Sequence, residues 1–429
     1  YFSSPTPASF VAFFLKHTII NYSIVCQRMA MPERENIKIV SIGWKIMKKK
    51  PEFHGSDLEK IADYYHLDRK KIVLFGANVN PLGLSGQVKK DLAEHLDIIS
   101  SYPDRDYTDL KKAIAAYTNT SPEHIVVGNG STELISLLIS QRAPKRALLL
   151  GPTYSEYARE LNLVGGTLEY YNLKEEQDFR LDISDLTDTL KSDIDLLIIC
   201  NPNNPTGYLY TRREMNQIRD LVKKYDLFLF SDEVYREFIY TGSPYISACH
   251  LEGIENNVVL IDSVSKRYSE CGIRIGALIT KNKEIRDAVM KFCQARLSPP
   301  LIGQIAAEAS LDAPEEYSRE TYDEYVERRK CLIDGLNRIP GVYSPIPMGA
   351  FYTVAKLPVD DSDKFCAWCL SDFEYEGQTV FMAPASGFYT TPGSGINEVR
   401  IAYVLKKEDL TRALFILQKA LEAYPGRTE

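Results

Sequence analysis

The chain has 429 residues, a formal net charge of −7, and a composition that is 45% hydrophobic and 25% charged. This length favours a large domain with a smaller one, and the composition is that of a soluble globular protein rather than a disordered or membrane protein. A net negative charge without a concentrated basic face argues against nucleic acid and anionic membranes as partners.

The first 46 residues differ in character from the rest of the chain. Their apolar stretch, residues 10–26, is interrupted by Lys16 and His17, so it is too short and too broken to cross a membrane. No basic region precedes it and no clear cleavage site follows it, which argues against a signal peptide. We interpret residues 1–46 as a leader of doubtful nativeness, with Met47 as the candidate start of the native chain.

Short apolar runs alternate with amphipathic helical stretches between about residues 105 and 290. Their near-continuous hydrophobicity is typical of a parallel sheet that is covered on both faces, and the alternation favours the α/β class with a mostly parallel central sheet. The predicted strands are residues 125–127, 147–150, 196–200, 227–230, 258–261 and 277–280.

Polar motifs follow several of these runs, where the carboxyl ends of parallel strands bind ligands. Residues 128–133 (GNGSTE) join a strand to a helical run, and such a turn either cradles an anion or is an ordinary tight turn. The candidates for anion binding are Gly130, Ser131 and Thr132. Tyr154 follows the next strand, where its ring could stack on a flat cofactor or pack in a loop.

The next two motifs offer groups that suit an aromatic cofactor ring. In the loop 201–207 (NPNNPTG), two prolines fix the backbone and Asn204 can donate to a phenolate-like oxygen, although a rigid turn is the alternative. Asp232 ends an apolar strand, where a carboxylate needs a cationic partner such as a protonated pyridine nitrogen. Tyr235 could reach the phenolic oxygen beside Asn204. An aspartate that caps a loop in the core is the other interpretation of Asp232.

The segment 263–266 (SVSK), followed by Arg274, completes this series. A partly desolvated lysine near other cations has a lowered pKa, so Lys266 could attack a carbonyl and later shuttle a proton. We expect Lys266 on a short, unhelical turn, with Ser263 and Arg274 binding a phosphate. In this order the groups indicate a pyridoxal 5′-phosphate site, with Lys266, Asp232 and Tyr235 as the catalytic residues.

Beyond residue 315 the pattern changes to a second, smaller α+β domain. A charged helical stretch spans residues 315–337, and an amphipathic helix spans about residues 407–424. Arg400 lies in an apolar strand between them, where it could pair with a substrate α-carboxylate or form a buried salt bridge. We predict an arm and part of the small domain at residues 47–100, a large domain at 101–315 and the small domain at 316–429.

Eight scattered cysteines favour a reducing compartment and therefore a cytoplasmic location. Cys366 and Cys369 have the spacing of a redox or metal motif. No second such pair and no cluster of histidines accompanies them, so we predict a plain helix there and no metal site.

These motifs resemble those of the class I and II aminotransferases of the fold type I pyridoxal-phosphate enzymes, from about residue 54 to residue 427. The resemblance implies that Lys266 forms the Schiff base, that Arg274 binds the phosphate and that Arg400, with Asn204 and Gly76, binds the substrate. Tyr102 is similar to a family tyrosine that reaches the neighbouring subunit's cofactor phosphate. A homodimer is therefore implied.

The two halves of the chain resemble different subfamilies. Residues 54–57 (HGSD), 75–83 (FGANVNPLG) and 102–104 (YPD) are similar to histidinol-phosphate aminotransferases and threonine-phosphate decarboxylases, whereas residues 294–300 (QARLSPP), 349–352 (GAFY) and 382–389 (MAPASGFY) are similar to bacterial aspartate-type aminotransferases. The additional arginine of the phosphate-substrate families is missing from residues 380–382 (VFM), which disfavours a phosphorylated substrate. Arg296 or Arg105 could receive the side chain of a dicarboxylate.

We therefore expect an aminotransferase that exchanges the amino group of an α-amino acid, aspartate above all, with 2-oxoglutarate. A histidinol-phosphate aminotransferase or a lyase similar to threonine-phosphate decarboxylase is the alternative, and His54 and the segment from Asn78 to Gly83 favour the lyase. A cofactor-binding regulatory module fused to a DNA-binding domain is disfavoured, because the roughly fifty preceding residues are too few for a winged helix and lack a basic face.

Overall fold

Twelve strands form three sheets in this computed structural model, which describes residues 58–104, 106–190, 193–242, 244–312 and 315–428, with only the backbone of residues 315 and 316. The predictions for residues 1–46, Met47, His54 and Arg105 lie outside the described residues. The strands are β1 Ile72–Leu74, β2 Ile125–Asn129, β3 Arg146–Gly151, β4 Thr167–Asn172, β5 Leu196–Cys200, β6 Phe228–Asp232, β7 Val258–Ser263, β8 Ile275–Ile279, β9 Tyr352–Lys356, β10 Thr379–Phe381, β11 Ala383–Pro384 and β12 Glu398–Ala402.

The central sheet has seven strands in the order β2-β8-β7-β6-β5-β3-β4. The pairs from β4 through β3, β5 and β6 to β7 are parallel, and β8 runs antiparallel to both β2 and β7. The prediction of an α/β fold with a mostly parallel central sheet is confirmed. All six predicted strands belong to this sheet, with ends that differ from the predicted ones by at most two residues.

The sequence analysis missed β4, and the reason lies in its position. It is an edge strand with partly exposed side chains, and it includes the polar residues Thr167, Glu169 and Asn172. An edge strand does not require the continuous apolar run by which the inner strands were recognised.

Helices cover both faces of the central sheet, as the alternating side chains of β3 show. Leu148 and Leu150 face a core that includes Met215 from one helix, whereas Ala147 and Leu149 face a core that includes Leu138 from another. The α-helices are α1 Leu58–Tyr65, α2 Gly86–Glu94, α3 Thr108–Thr118, α4 Ser131–Arg142, α5 Glu156–Leu163, α6 Ile183–Thr189, α7 Arg212–Tyr225, α8 Val264–Arg267, α9 Lys283–Ala295, α10 Leu301–Leu311, α11 Glu315–Leu336, α12 Ser362–Ser371 and α13 Lys407–Ala423.

A second core is formed mostly by elements that follow residue 315, joined by Phe75 and by Tyr235 and Phe238 from the loop after β6. Strands β11, β12 and β9 form an antiparallel sheet, and β1 pairs in parallel with β10. This pairing places Ile72–Leu74 beside a carboxyl-terminal strand, and the assignment of residues 47–100 to an arm and part of the small domain stays a prediction. Residues 53–429 form one compact unit, so the proposed boundary near residue 315 stays a prediction.

Two further expectations concern individual helices. Cys366 and Cys369 lie in α12 with buried side chains, so the prediction of a plain helix is confirmed. Within the described part of the chain, no helix is both long enough and apolar enough to cross a membrane.

Leu229 provides a test of the central sheet. Its side chain is fully buried in β6, so Leu229→Ala should lower the free energy of unfolding by about 2–5 kcal/mol. Denaturant unfolding measures this change. Leu163→Ala is the matched control, because Leu163 is 70% exposed and its truncation should change stability by less than about 0.5 kcal/mol. Equal effects of the two substitutions would contradict the assigned burial.

Candidate active site

Three neighbouring parallel strands end at one edge of the central sheet, and each end carries predicted site residues. Strand β5 leads into the loop 201–207, β6 ends at Asp232, and β7 ends at Ser263. Side chains from adjacent strands converge at such an edge, which is where open parallel sheets bind ligands. The structure therefore brings together the motifs that the sequence analysis selected one by one.

The carboxylate of Asp232 is buried and its hydrogen bonds come from neutral groups. The hydroxyl of Tyr157 donates to it at 2.6 Å, and the backbone N–H of Val234 donates at 3.3 Å. Burial raises the pKa of Asp232 to about 6, and these two hydrogen bonds oppose that rise. A positively charged ligand atom at this position would stabilise the ionised form.

The backbone conformation around Lys266 differs from the expected one. Lys266 belongs to α8, a single turn of α-helix, so the prediction of an unhelical turn is wrong. The turn becomes helical because the Ser263 hydroxyl caps it by accepting the N–H of Ser265 at 3.1 Å. The same hydroxyl donates to the carbonyl of Ile275 at 2.9 Å, which ties the turn to β8.

The amine of Lys266 is partly buried near other cations. It donates to the carbonyl oxygen of Asn78 at 2.7 Å and lies 6.0 Å from the centre of the Tyr235 ring. Burial, with repulsion from Arg400 and Arg274, lowers the pKa of Lys266 to about 8. More of the amine is therefore neutral near neutral pH than for an ordinary lysine, and the neutral amine can act as a nucleophile or base.

The antiparallel pairing of β2 with β8 brings the glycine-rich turn to Arg274. Asn129 pairs with Ile275, and α4 begins at Ser131 immediately after Gly130. Gly130 has φ 85°, and a methyl group there would collide with the Arg274 guanidinium. A helix N-terminus and a guanidinium thus face the same space, an arrangement that suits a phosphate.

Arg400 lies in β12 between two aromatic rings, with its guanidinium carbon 4.5 Å from the centre of the Tyr352 ring and 4.9 Å from that of Phe388. It donates to the side-chain oxygen of Asn204 at 3.1 Å and to the carbonyl of Gly76 at 3.2 Å. Its Nε has no hydrogen-bond partner among the described residues. The contacts described for it include no salt bridge, which leaves a guanidinium able to bind a carboxylate.

Asn204 and Tyr235 lie on the two loops that flank these cations. Since the side-chain oxygen of Asn204 accepts from Arg400, its amide nitrogen is the atom that can donate to a ligand. The hydroxyl of Tyr235 lies 3.0 Å from that of Tyr352, and burial raises the pKa of Tyr235.

Two predicted tyrosines lie in very different surroundings. Tyr154 packs edge-on against Tyr157 with ring centres 5.6 Å apart, and burial raises its pKa to about 12 while a hydrogen bond with Thr132 opposes the rise. Tyr102 is 87% exposed, so its side chain does not join the site within this chain.

Several contact residues were missed by the sequence analysis. Tyr157 and Tyr352 are examples, because each meets its partner only in the folded chain. Tyr157 lies in the first turn of α5, three residues after the predicted Tyr154 and shortly after the end of β3, and this nearness to a strand end was the signal that could have identified it.

Arg296, a candidate for a dicarboxylate side chain, is engaged within the chain. Its Nε and one terminal nitrogen each donate to the carboxylate of Glu133 at 2.5 Å, and Glu133 also accepts the N–H of Asn129 at 2.6 Å. This bidentate pair anchors the first turn of α4 rather than leaving a free guanidinium.

A family model described as aminotransferase class I and II matches residues 70–417 of this chain. The chain belongs to this family. The family uses pyridoxal 5′-phosphate, so the predicted cofactor is confirmed, and its substrates are small amino and keto acids.

Individual relatives have different names. A threonine-phosphate decarboxylase from Salmonella typhimurium is 32% identical over 72% of this chain and 83% of its own length. An aspartate aminotransferase from Pyrococcus horikoshii is 26% identical over 75% of this chain and 82% of its own. The solved structure of an aromatic aminotransferase from Pyrococcus horikoshii has a TM-score of 0.74 and 26% identity, covering 85% of this chain and 98% of that one. The fold is fold type I, as the resemblance implied.

The residues present fit this cofactor on grounds that belong to this structure. Among the described residues, the hydrogen-bond donors to the buried carboxylate of Asp232 are neutral, and a pyridinium nitrogen would supply a charged one. A helix N-terminus beside Arg274 suits the phosphate, and the reactive amine of Lys266 suits the carbonyl carbon.

Gly130→Ala should weaken cofactor binding by roughly tenfold or more, because the added methyl group displaces the Arg274 guanidinium in addition to straining the backbone. Titration of the cofactor-free protein with pyridoxal 5′-phosphate measures this affinity. Gly165→Ala is the matched control, since Gly165 has φ 73° and open space around it. It should cost about 1–2 kcal/mol of stability and leave the affinity unchanged. Unaltered affinity in Gly130→Ala would remove this turn from the site.

Proposed function

We propose that this chain is a pyridoxal-phosphate-dependent aminotransferase that exchanges the amino group of an α-amino acid with 2-oxoglutarate. One observation carries the proposal. The amine of Lys266 lies close enough to Asp232, Arg274 and Arg400 for all three to influence its pKa. A base, a group for the cofactor ring, a group for its phosphate and a group for a substrate carboxylate therefore share one site.

When bound, pyridoxal 5′-phosphate supplies an electron sink for the electron pair left on the substrate Cα after proton removal. Asp232 keeps a proton on the pyridine nitrogen, because burial beside neutral donors makes this carboxylate a good partner for a cation. The neutral amine of Lys266 removes the proton at Cα and returns one during the exchange. Arg400 orients the substrate by its α-carboxylate, and Asn204 and Tyr235 hold the phenolic oxygen.

The other proposed cofactor contacts come from residues near the same edge of the central sheet. Gly130, Ser131 and Thr132 offer the helix N-terminus to the phosphate, together with Ser263 and Arg274. Tyr154 offers its ring to the cofactor ring. Gly76 offers its carbonyl to Arg400, which keeps that guanidinium directed towards the substrate.

Aspartate is the first amino donor that we propose. The motifs of the carboxyl-terminal half and the aspartate aminotransferase from Pyrococcus horikoshii support it. The pairing of Arg296 with Glu133 requires that another cation, from either subunit, receive the side-chain carboxylate of aspartate.

A lyase that removes CO2 from a phosphorylated amino acid is the second candidate, supported by the 32% identical decarboxylase. Strand β10 and Met382, which follows it, are buried and contain no arginine for a substrate phosphate, which argues against this candidate. Release of CO2 without any need for 2-oxoglutarate would establish the lyase.

We also propose a homodimer in a reducing, cytoplasmic compartment. A short segment of this chain exposes Leu96, Ile98, Ile99 and Tyr102, each at least 40% exposed, and a second copy would cover this apolar surface. In such a dimer Tyr102 reaches the partner's cofactor phosphate. No disulfide is described among the cysteines of the described residues, which supports the compartment.

Lys266→Ala should abolish turnover and remove the absorbance band that the lysine-bound cofactor gives, because no other amine replaces it. The measurement is absorbance of the purified protein before and after aspartate, with and without 2-oxoglutarate. In the unmodified protein, aspartate should shift the band and 2-oxoglutarate should restore it. Lys223→Ala, at an exposed position in α7, is the control. Full activity of Lys266→Ala would refute the proposed chemistry.

Ile99→Glu should convert a dimer into monomers, because a buried charge at an apolar interface is costly. Light scattering at several protein concentrations measures the mass. Leu163→Glu places the same charge at another exposed leucine and should leave the dimer intact. A monomeric unmodified protein, or a dimer unaffected by Ile99→Glu, would contradict this interface.

A further inference from the structure

Tyr352, a residue to which no role has yet been given, lies between the cofactor side and the substrate side of the site. It is the first residue of β9 and is fully buried. Its hydroxyl lies 3.0 Å from that of Tyr235, and its ring lies beneath the guanidinium of Arg400 at 4.5 Å. One side chain therefore contacts both a cofactor-binding residue and a substrate-binding residue.

The two tyrosine hydroxyls share one hydrogen bond, and the proposed role of Tyr235 decides its direction. A hydroxyl donates a single proton but can accept two hydrogen bonds. If Tyr235 donates its proton to the phenolic oxygen of the cofactor, it has none left for its neighbour. The proton between the two tyrosines must then come from Tyr352.

One neighbour, Arg400, favours donation by the hydroxyl of Tyr352. A guanidinium over an aromatic ring withdraws electron density from the ring and favours a more acidic hydroxyl. Burial raises the pKa of Tyr352, while Arg400 acts in the opposite direction. The hydrogen bond described for its hydroxyl is the one with Tyr235, so its proton has no competing described acceptor.

We propose that Tyr352 is a positioning residue that donates its hydroxyl proton to Tyr235 and so commits the proton of Tyr235 to the phenolic oxygen of the cofactor. Hydrogen bonds in such a chain polarise one another, so Tyr352 strengthens a contact that it does not itself make. The inference rests on the proposed function, because it requires a bound cofactor next to Tyr235.

The test is the substitution Tyr352→Phe, which keeps the ring beneath Arg400 and removes the hydroxyl. By donating a hydrogen bond, Tyr235 withdraws negative charge from the phenolic oxygen. That negative charge helps the nearby nitrogen, which joins Lys266 to the cofactor, to keep its proton. Weaker donation should therefore raise the pH at which the absorbance of the bound cofactor titrates. The expected rise is roughly 0.2–0.5 pH units, a fraction of the effect of a whole hydrogen bond to a charged oxygen.

Two comparisons separate this role from a structural one. Tyr403→Phe removes another fully buried hydroxyl, which donates to the carbonyl of Ala350 at 3.0 Å, and should leave the titration unchanged. In a Tyr235→Phe background, removal of the Tyr352 hydroxyl should add no further shift, because the residue acts through Tyr235. Thermal unfolding of the cofactor-free variants shows whether each one is folded.

The outcomes also separate this inference from the proposed function. If the unmodified protein binds no pyridoxal 5′-phosphate through Lys266, the proposed function itself fails. If it binds the cofactor but Tyr352→Phe titrates like the unmodified protein, or Tyr403→Phe shifts equally, only the role of Tyr352 is refuted. An undiminished shift in the Tyr235→Phe background would likewise overturn the proposed relay.

Discussion

The candidate site depends on buried charges that lie behind the carboxyl ends of β5, β6 and β7. The pair Asp262–Arg267 flanks the helical turn that carries the lysine, and both side chains are only 4% exposed. Next to the strand-end aspartate, Glu233 accepts the N–H of Ala248 at 2.8 Å and lies 3.8 Å from Arg236. Buried ions are costly unless they are paired, so movement of any of these turns would separate a buried ion from its partner.

The same network also contacts the loop 201–207, which follows β5. The ring of Tyr245 lies beneath the Arg236 guanidinium at 5.2 Å, and its hydroxyl donates to the carbonyl of Asn201 at 3.0 Å. The proline-rich loop is thereby held against the other two. In front of this network the site itself is locally cationic, with Lys266 and two arginines near one carboxylate, although the whole chain carries a net charge of −7. This local positive charge suits the negative charges of a cofactor phosphate and a substrate carboxylate.

The residues that indicate the family differ from those that select the substrate. The proposed cofactor-binding residues lie at the ends of central strands, and the chain is similar to relatives named for aspartate, aromatic amino acids and threonine phosphate. The side chain of a substrate would contact other residues. Arg296, one candidate for such a contact, is paired with Glu133. Motifs for the cofactor therefore indicate which cofactor is used without fixing the reaction or the amino acid, because a few contacts outside them decide both.

The sequence by itself determined the α/β class, six of the seven central strands and the order of the motifs, because apolar runs, turn residues and strand ends are local properties of the chain. Only the tertiary structure decided the rest. The antiparallel direction of β8 brings Arg274 to Gly130, and a serine cap makes the lysine turn helical. The partners of Asp232 and Tyr235 lie 75 and 117 residues away, and no local pattern encodes such contacts, because packing of whole elements creates them.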